Sequence, residues 1–411
     1  MIDRASIHLT KTHLRSRREM LRLGAGAALA SVAGCSHPDR GPPVPIGRTA
    51  HASVLGIANE RFFPLLGIDP IEAEFRAAMA RQQRALGVGS LGDLPEQQLL
   101  AVSGGGENGA FGAGLLCGWS VQGTRPTFQL VTGVSTGALI APFAFLGSDH
   151  DAQLRAVYTE TAPGEILAKR PLISVLFNDA MADNAPLLAT ISRYVDERLL
   201  AGIAAAYQAG RLLMIATTDL DAQVPVIWNI GAIASSGHPR AVDTVRRLLL
   251  ASAAIPGAFP PSMIDVTLDG RKYQEMHVDG GAVAQTFLYP SAITRDRARR
   301  RRAGLSTAQA RAFIIRNGRL DPEWAKVERH TLDIAGRAID TMIAISGYND
   351  VIRIFAITQR DGIDYNLAFI GPDFNQVLPS SFDSAYMRAL FDYGYQRAVR
   401  GYDWTKKPPI L

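Results

Sequence analysis

The chain has 411 residues, of which 47% are hydrophobic and 20% are charged, so it can bury a sizeable core and is not globally disordered. The formal net charge is +5. Residues 1–34 carry six Lys/Arg and two Asp/Glu, a net charge of +4, so the remaining residues carry only +1. The basic balance therefore gives no reason to expect a nucleic-acid partner. Two cysteines cannot form a disulfide framework, and no His/Cys cluster has metal-ligand spacing, so we expect neither a metal nor another cofactor.

The first 34 residues have the order of a bacterial export signal. A basic segment ends at Arg22, and the Gly- and Ala-rich stretch Leu23–Gly34 is too short to span a bilayer. The paired residues Arg17 and Arg18 resemble a twin-arginine signal, and small residues before Cys35 resemble a lipobox, in which the cysteine becomes the lipidated N-terminus. This order predicts a lipid anchor at Cys35 and a membrane-anchored lipoprotein of the bacterial cell envelope, in the outer membrane or facing the periplasm. The alternative is an amphipathic N-terminal helix with a buried cysteine.

The rest of the chain divides by composition and by helix signals. Pro- and Gly-rich sequence predicts a tether, and Asp69-Pro70 predicts the start of a helix that ends near Leu86 at Gly87. An amphipathic pattern over Phe382–Val399 predicts the last helix. The predicted segments are a signal peptide (1–34), the tether (35–60), an N-terminal helical extension (61–95), the main domain (96–375), and a C-terminal helix and tail (376–411).

Strand and helix signals alternate in the main domain. The runs before Gly104 and Gly133 pass directly into helical patterns, which is typical of strand–helix units in a largely parallel sheet with helices on both faces. We therefore predict an α/β fold. The predicted strands are Leu99–Ser103, Phe128–Val131, Leu212–Thr217, Glu275–Val278, Ala312–Ile315, Arg353–Thr358 and Tyr365–Ile370.

Three consecutive glycines, Gly104, Gly105 and Gly106, follow the first of these strands. Successive glycine amides are unshielded and can converge on an oxyanion or a phosphate. As a phosphate loop the segment is incomplete, because no Gly-Lys-Ser/Thr ending follows. Gly109 completes a weak dinucleotide pattern, but the next strand does not end in the acidic residue that such a site needs.

Ser135 lies between two glycines at the spacing G-x-S-x-G, after a strand-like run and before a helix-like run. This arrangement puts the hydroxyl at the apex of a tight turn, where a side chain at either glycine would clash with the neighbouring strand and helix. The dipole of the following helix then favours negative charge near the serine. Spacing alone is equally compatible with a plain turn.

Asp279 ends a predicted strand and is followed by Gly280 and Gly281. Parallel sheets form their sites beyond the carboxyl ends of the strands, so this carboxylate is well placed for a site, although an Asp in a β-turn has the same pattern. The run of small residues Ala251–Pro261, by itself, indicates only a helix end and a turn.

Together these four motifs, in this order and spacing, resemble the patatin-like phospholipase family over roughly residues 97–290. The resemblance implies a three-layer α/β fold and hydrolysis of lipid acyl esters by a Ser–Asp dyad, of phospholipase A or lysophospholipase type. It implies that Ser135 is the nucleophile, that Asp279 is its base, and that the amides of Gly104, Gly105 and Gly106 form the oxyanion hole. The implied partners are a phospholipid or another lipid ester and, through Cys35, a membrane. One departure is that Asn108 occupies a position where the family usually has a basic residue.

Two other functions remain open at this stage. A non-catalytic lipid-binding lipoprotein of the cell envelope could use the same fold. A Ser–His–Asp esterase would need a histidine, for which His277 and His330 are the candidates; we expect the first to be structural and the second to lie on the surface. We expect Asp219 and Asp221 to be turn residues near the site.

Overall fold

The computed structural model describes residues 40–166, 168–169, 182–289, 297, 299–300, 302–305 and 307–409. The predicted signal peptide and Cys35 lie outside the described residues. The strands are β1 Arg61–Phe62, β2 Gln97–Val102, β3 Leu130–Val134, β4 Ala168–Lys169, β5 Ala182–Asp183, β6 Leu212–Asp219, β7 Val224–Asn229, β8 Ser262–Leu268, β9 Arg271–Asp279, β10 Ala310–Arg316 and β11 Asp364–Phe369. The described α-helices are α1 Asp69–Leu86, α2 Gly109–Gln122, α3 Thr136–Leu146, α4 Asp151–Thr159, α5 Ala185–Tyr194, α6 Glu197–Gln208, α7 Ile230–Ser235, α8 Ala241–Ser252, α9 Thr331–Asp361 and α10 Ser384–Val399.

A nine-stranded mixed sheet forms the centre of the molecule. Five strands run parallel in the order β6–β3–β2–β10–β11, and β7 and β1 extend the sheet antiparallel beyond β6. The predicted α/β fold is confirmed. The predicted strand Arg353–Thr358 is wrong, because this segment lies inside α9, where Val351, Ile354 and Thr358 are buried at helical spacing.

Helices cover both faces of the sheet, which gives the predicted three layers. Alternate residues of β2 point to opposite sides: Leu100 belongs to one core, which also contains Phe111 of α2, and Ala101 belongs to the other. The second core includes Ile71 of α1 and Ile354 of α9. No helix among the described residues is both long enough and apolar enough to cross a bilayer.

The strands β3 and β9 share one edge of β6. Parallel β3 pairs with the first part of β6, where Val134 lies opposite Ala216. Antiparallel β9 pairs with the last part, where Asp279 lies opposite Thr217. The carboxyl ends of β3 and β9 therefore meet at adjacent positions along β6.

Part of the segment predicted as a tether is folded onto the β8–β9 hairpin. The amide of Gly41 donates to Gln274 Oε1 at 2.9 Å, and Ser53 forms a β-bridge with Thr267. The next element is anchored by Arg61, whose buried guanidinium lies 2.6 Å from the carboxylate of Glu275. The described part of the predicted tether thus packs on the folded domain, a result that local Pro and Gly content does not reveal because the contacts are distant in sequence.

Glycines allow α2 and α10 to pack at very short distance. A Cβ atom on Gly114 would lie 2.0 Å from the carbonyl oxygen of Phe391, and one on Gly118 would lie 2.3 Å from that of Tyr395. On the facing helix α10, a Cβ on Gly394 would lie 2.5 Å from the carbonyl oxygen of Phe111 in α2. The C-terminal helix is therefore part of the layer that carries the glycine loop.

Replacing Gly114 with Ala should destabilise the protein. The added methyl group meets backbone that cannot rotate away, so the helices must separate, at a cost of about 1–3 kcal/mol. Gly336→Ala is the matched control, since Gly336 is an exposed glycine of α9 where an added Cβ would meet no other part of the protein within 4 Å, and this change should stabilise by up to about 1 kcal/mol. Denaturant unfolding measures both changes, and an unchanged free energy of unfolding for Gly114→Ala would contradict the packing described.

Candidate active site

Ser135 occupies a strained turn between β3 and α3. Its backbone angles are φ 56° and ψ −128°, a region that residues with a side chain rarely adopt. A Cβ on Gly133 would lie 2.5 Å from the carbonyl oxygen of Gly137, and one on Gly137 would lie 2.2 Å from that of Val102. Both glycines are therefore required for the close approach of the turn to α3 and β2.

Ser252, the last residue of α8, fixes this turn. Its hydroxyl accepts a hydrogen bond from the amide of Ser135 at 3.0 Å and donates one to the carbonyl oxygen of Ala216 at 2.7 Å. Sequence reasoning missed this role, for which the only signal was the position of Ser252 in the run of small residues. On the other side, the hydroxyl groups of Thr136 and Tyr158 are 2.5 Å apart. The turn is thus bound to the sheet and to a neighbouring helix.

Asp279 lies beside Ser135 because β3 and β9 meet on β6. Its amide donates to the carbonyl oxygen of Ala254 at 2.9 Å, and its Oδ1 accepts from the amide of Gly281 at 2.7 Å. Burial raises the pKa of this carboxyl group to about 7, and the nearby Ser135 hydroxyl opposes the shift. No hydrogen bond of ordinary geometry reaches the buried Oδ2 within the described part of the chain. That oxygen is available to accept a proton.

The glycine loop presents fewer free amides than we expected. The amide of Gly104 donates to the carbonyl oxygen of Gln285 at 2.9 Å, so it is not free to donate to an oxyanion. The amides of Gly105 and Gly106 have no acceptor among the described residues, and Gly106 lines the same cavity as Ser135. The structure therefore leaves two of the three predicted amides free to bind an oxyanion.

The residues that hold the glycine loop were missed in the sequence. The amide of Asn317 donates to Ser103 Oγ at 2.8 Å, and its side chain donates to the Ser103 carbonyl oxygen at 2.9 Å. A Cβ on Gly105, whose φ is 153°, would lie 2.0 Å from the carbonyl oxygen of Asn317. Asp350 of α9 in turn accepts from the amide of Gln285 at 2.7 Å. Asn317 follows directly after a predicted strand, and this position was the available signal.

An apolar cavity of about 550 Å³, including its opening to solvent, lies next to Ser135. Glu107 also lines it, and burial raises the pKa of that carboxyl group. The neighbouring Asn108 points elsewhere, since its Oδ1 accepts from the hydroxyl of Tyr386 at 2.8 Å. The apolar lining comes from several helices and loops, and includes Leu139, Val157, Leu187, Ile255, Phe259 and Met387.

Neither candidate histidine makes a hydrogen bond to Ser135 or Asp279. His277 is buried and contacts the hydroxyl of Thr217 at 2.9 Å through Nδ1 and Glu275 at 3.1 Å through Nε2. His330 is exposed and contacts Asp333 on the surface. The expected structural and surface roles agree with these positions.

Asp219 lies with Glu275 and His277 in a buried group whose possible ligand atoms are all within 4.8 Å of one another. The sequence spacing did not predict this group as a metal site. The guanidinium of Arg61 already neutralises Glu275, so a positive charge is present without a metal. Asp221, on the turn after β6, makes an ion pair with Arg40 at 2.6 Å.

In a comparison with known protein families, residues 100–290 match the family model described as patatin-like phospholipase. This confirms the resemblance stated from the motifs and implies action on lipid esters. Among solved structures, the chain is similar to the crystal structure of VipD from Legionella pneumophila. The two sequences are 11% identical, the match covers 75% of this chain and 67% of that chain, and the TM-score is 0.31. So low a score supports no conclusion about function. No curated protein matches the chain in sequence.

Replacing Asp279 with Asn should change how stability depends on pH. Folding raises the pKa of this carboxyl group from 3.8 to about 7, so in this interval the native state holds a proton that the unfolded state releases. The stability of the wild type therefore falls as pH rises through the interval, and Asp279→Asn should be the more stable protein at about pH 8 but not at about pH 4. Thermal unfolding at both pH values measures this. Asp243→Asn, at an exposed carboxylate, is the control, and an equal pH response of both variants would contradict the burial of Asp279.

Proposed function

Residues 100–290 belong to the patatin-like phospholipases, and from this we propose that the chain hydrolyses lipid carboxylic esters by a Ser135–Asp279 dyad. We propose an activity of phospholipase A or lysophospholipase type. The observation that carries the proposal is the buried carboxyl group of Asp279, with its raised pKa and unpartnered Oδ2, beside a serine on a strained turn. Charges left uncompensated in this way are typical of functional sites.

The first half of the proposed reaction forms an acyl-enzyme. Ionised Asp279 takes the proton of Ser135 as the serine oxygen bonds to the ester carbonyl carbon. Negative charge moves to the carbonyl oxygen, where the free amides of Gly105 and Gly106 stabilise it. The tetrahedral intermediate then expels the alcohol, which takes the proton from Asp279.

The second half releases the fatty acid. Asp279, ionised again, takes a proton from water as the water oxygen bonds to the acyl carbon of the acyl-enzyme. The intermediate collapses, the bond to the Ser135 oxygen breaks, and the serine recovers its proton from Asp279. A raised pKa suits a group that must accept and return a proton near neutral pH.

The apolar cavity supports a long acyl group as the part of the substrate bound beside Ser135. Its lining is largely aliphatic and aromatic, and an acyl chain placed there leaves water, which is favourable by about 25 cal/mol per Å² of buried apolar surface. Burial beside this cavity keeps the pKa of Asp279 high. We infer that substrate binding and base strength depend on one property, the exclusion of water.

We also propose that the mature chain is a lipoprotein of the bacterial cell envelope, anchored through Cys35. The order of basic segment, short apolar segment and cysteine supports this proposal. An acyl anchor would keep the hydrolase at the surface that contains its substrate. Arg40 already contacts Asp221 and Gln274 of the folded domain, so only a few residues would separate the domain from an anchor at Cys35.

Ser135→Ala should lower kcat/KM for p-nitrophenyl acyl esters by at least about a thousandfold, because the variant lacks the oxygen on which the proposed acyl-enzyme forms. Asp279→Asn should cause a comparable loss. In the wild type, kcat/KM should rise with pH and level off above about 7, as Asp279 ionises. Ser235→Ala, at a hydroxyl that donates only to a helix carbonyl, should leave the kinetics unchanged. Full activity in both site variants would contradict the proposed dyad. Lipid binding without turnover by the wild type would contradict the proposed hydrolysis and favour a non-catalytic lipid-binding protein.

Cys35→Ser should release the protein from membranes in a bacterial host, because the lipid is attached through the sulfur. Fractionation into soluble and membrane pools, followed by immunoblotting, measures the release, and Cys117→Ser is the matched control at the buried cysteine. An equal membrane fraction for Cys35→Ser and the wild type would contradict the anchor.

A further inference from the structure

Arg316, the last residue of β10, is a buried cation beneath the glycine loop. It is 4% exposed, and its Nη1 lies 3.4 Å from Ser103 Oγ and 3.4 Å from the carbonyl oxygen of Gly104. In the described part of the chain no carboxylate lies within ion-pair distance of it, although Asp350 and Glu323 attract it from farther away, and its Nε has no hydrogen-bond partner. A buried charge without a paired counter-charge is costly, so its presence calls for a physical reason.

The fold provides a slot for this guanidinium. A Cβ on Gly347 of α9 would lie 2.5 Å from Arg316 Cζ, and one on Gly318 would lie 3.1 Å from the same atom. The guanidinium therefore occupies space that two glycines leave open. Burial lowers the pKa of Arg316 to about 10, at which the side chain is still charged at neutral pH.

The contacts of Arg316 lead to one peptide group of the glycine loop. Ser103 Oγ, which Arg316 contacts, also donates to the carbonyl oxygen of Gly104 at 2.7 Å. That carbonyl and the amide of Gly105 belong to the same planar peptide group. Positive charge and a hydrogen bond at the oxygen draw electrons from the nitrogen, so the free amide of Gly105 becomes a stronger donor.

We propose that Arg316 is a positioning residue that strengthens the oxyanion-binding amide of Gly105 by polarising the Gly104–Gly105 peptide group. The proposal rests on the proposed hydrolase function. As negative charge develops on the substrate oxygen, the fixed cation below the loop also attracts it through a water-poor region, where such attraction is strong. Arg316 acts through the backbone and does not touch the substrate.

The first test compares Arg316→Met and Arg316→Lys with the wild type. We expect Arg316→Met to lower kcat about ten- to hundredfold, less than the loss of a direct oxyanion donor, with KM nearly unchanged. The inhibition constant of a trifluoromethyl ketone, whose adduct with Ser135 carries an oxyanion, should rise by the same factor as kcat/KM falls. Arg316→Lys keeps the positive charge, so its kcat and its inhibition constant should be intermediate between those of Arg316→Met and the wild type.

Arg211→Met is the matched control, because Arg211 is a half-buried arginine whose pKa is also lowered to about 10 by burial and whose guanidinium donates to the carbonyl oxygens of Phe128 and Phe145. It should affect the free energy of unfolding and leave kcat and the inhibition constant unchanged. If the role of Arg316 were only structural, Arg316→Met and Arg211→Met would change the free energy of unfolding, kcat and the inhibition constant in the same way.

A second variant tests the same idea without removing the cation. Gly347→Ala fills the slot and displaces the guanidinium from its present position, so its contact with Gly104 is disturbed; kcat should fall and the inhibition constant should rise together. The proposal is overturned if Gly347→Ala and every folded Arg316 variant keep wild-type values, if Arg316→Lys is no better than Arg316→Met, or if Arg211→Met loses as much activity. If the wild type itself hydrolyses no acyl ester, the proposed function fails instead, which is a distinct result.

Discussion

The shared edge of β6 is the constraint on which the candidate site depends. Parallel β3 and antiparallel β9 pair with successive parts of the same strand, so their carboxyl ends meet and neither can extend further. One end passes into the strained turn at Ser135, and the other ends at Asp279. Two side chains distant in sequence are thereby held together by backbone hydrogen bonds, without depending on flexible loops. Ser252 reinforces the junction, because its hydroxyl links the turn to β6 itself.

Charge is distributed unevenly around this junction. The buried Glu275 is matched by Arg61, a pair that stabilises the attachment of the N-terminal segment. Asp279 and Arg316 are also buried, but neither makes an ion pair among the described residues, and each lies against one part of the proposed reaction centre. Uncompensated groups of this kind lower stability and persist where a reaction uses them. In the proposed reaction, Asp279 binds the proton that moves, and Arg316 favours the negative charge that appears.

Local pattern was enough to predict much of this architecture. Alternating strand and helix signals predicted the layered α/β fold, and the glycines beside Ser135 predicted the tight turn, because both depend on neighbours in sequence. The error at Arg353–Thr358 arose because a β-prone run lies in a helix whose burial repeats every three or four residues. Two features depend on contacts far apart in sequence, which no local pattern reveals: the hydrogen bond from the Gly104 amide to Gln285 and the slot that holds Arg316.

The most direct test of the proposed dyad is peptide mass mapping after reaction with a fluorophosphonate, which forms a stable adduct with an activated serine. We predict a single phosphonyl group on the peptide that contains Ser135, added rapidly to the wild type and far more slowly to Asp279→Asn, since the carboxylate must remove the serine proton. Labelling at another serine, or equal labelling rates in the two proteins, would contradict the assignment of Ser135 and Asp279 as nucleophile and base.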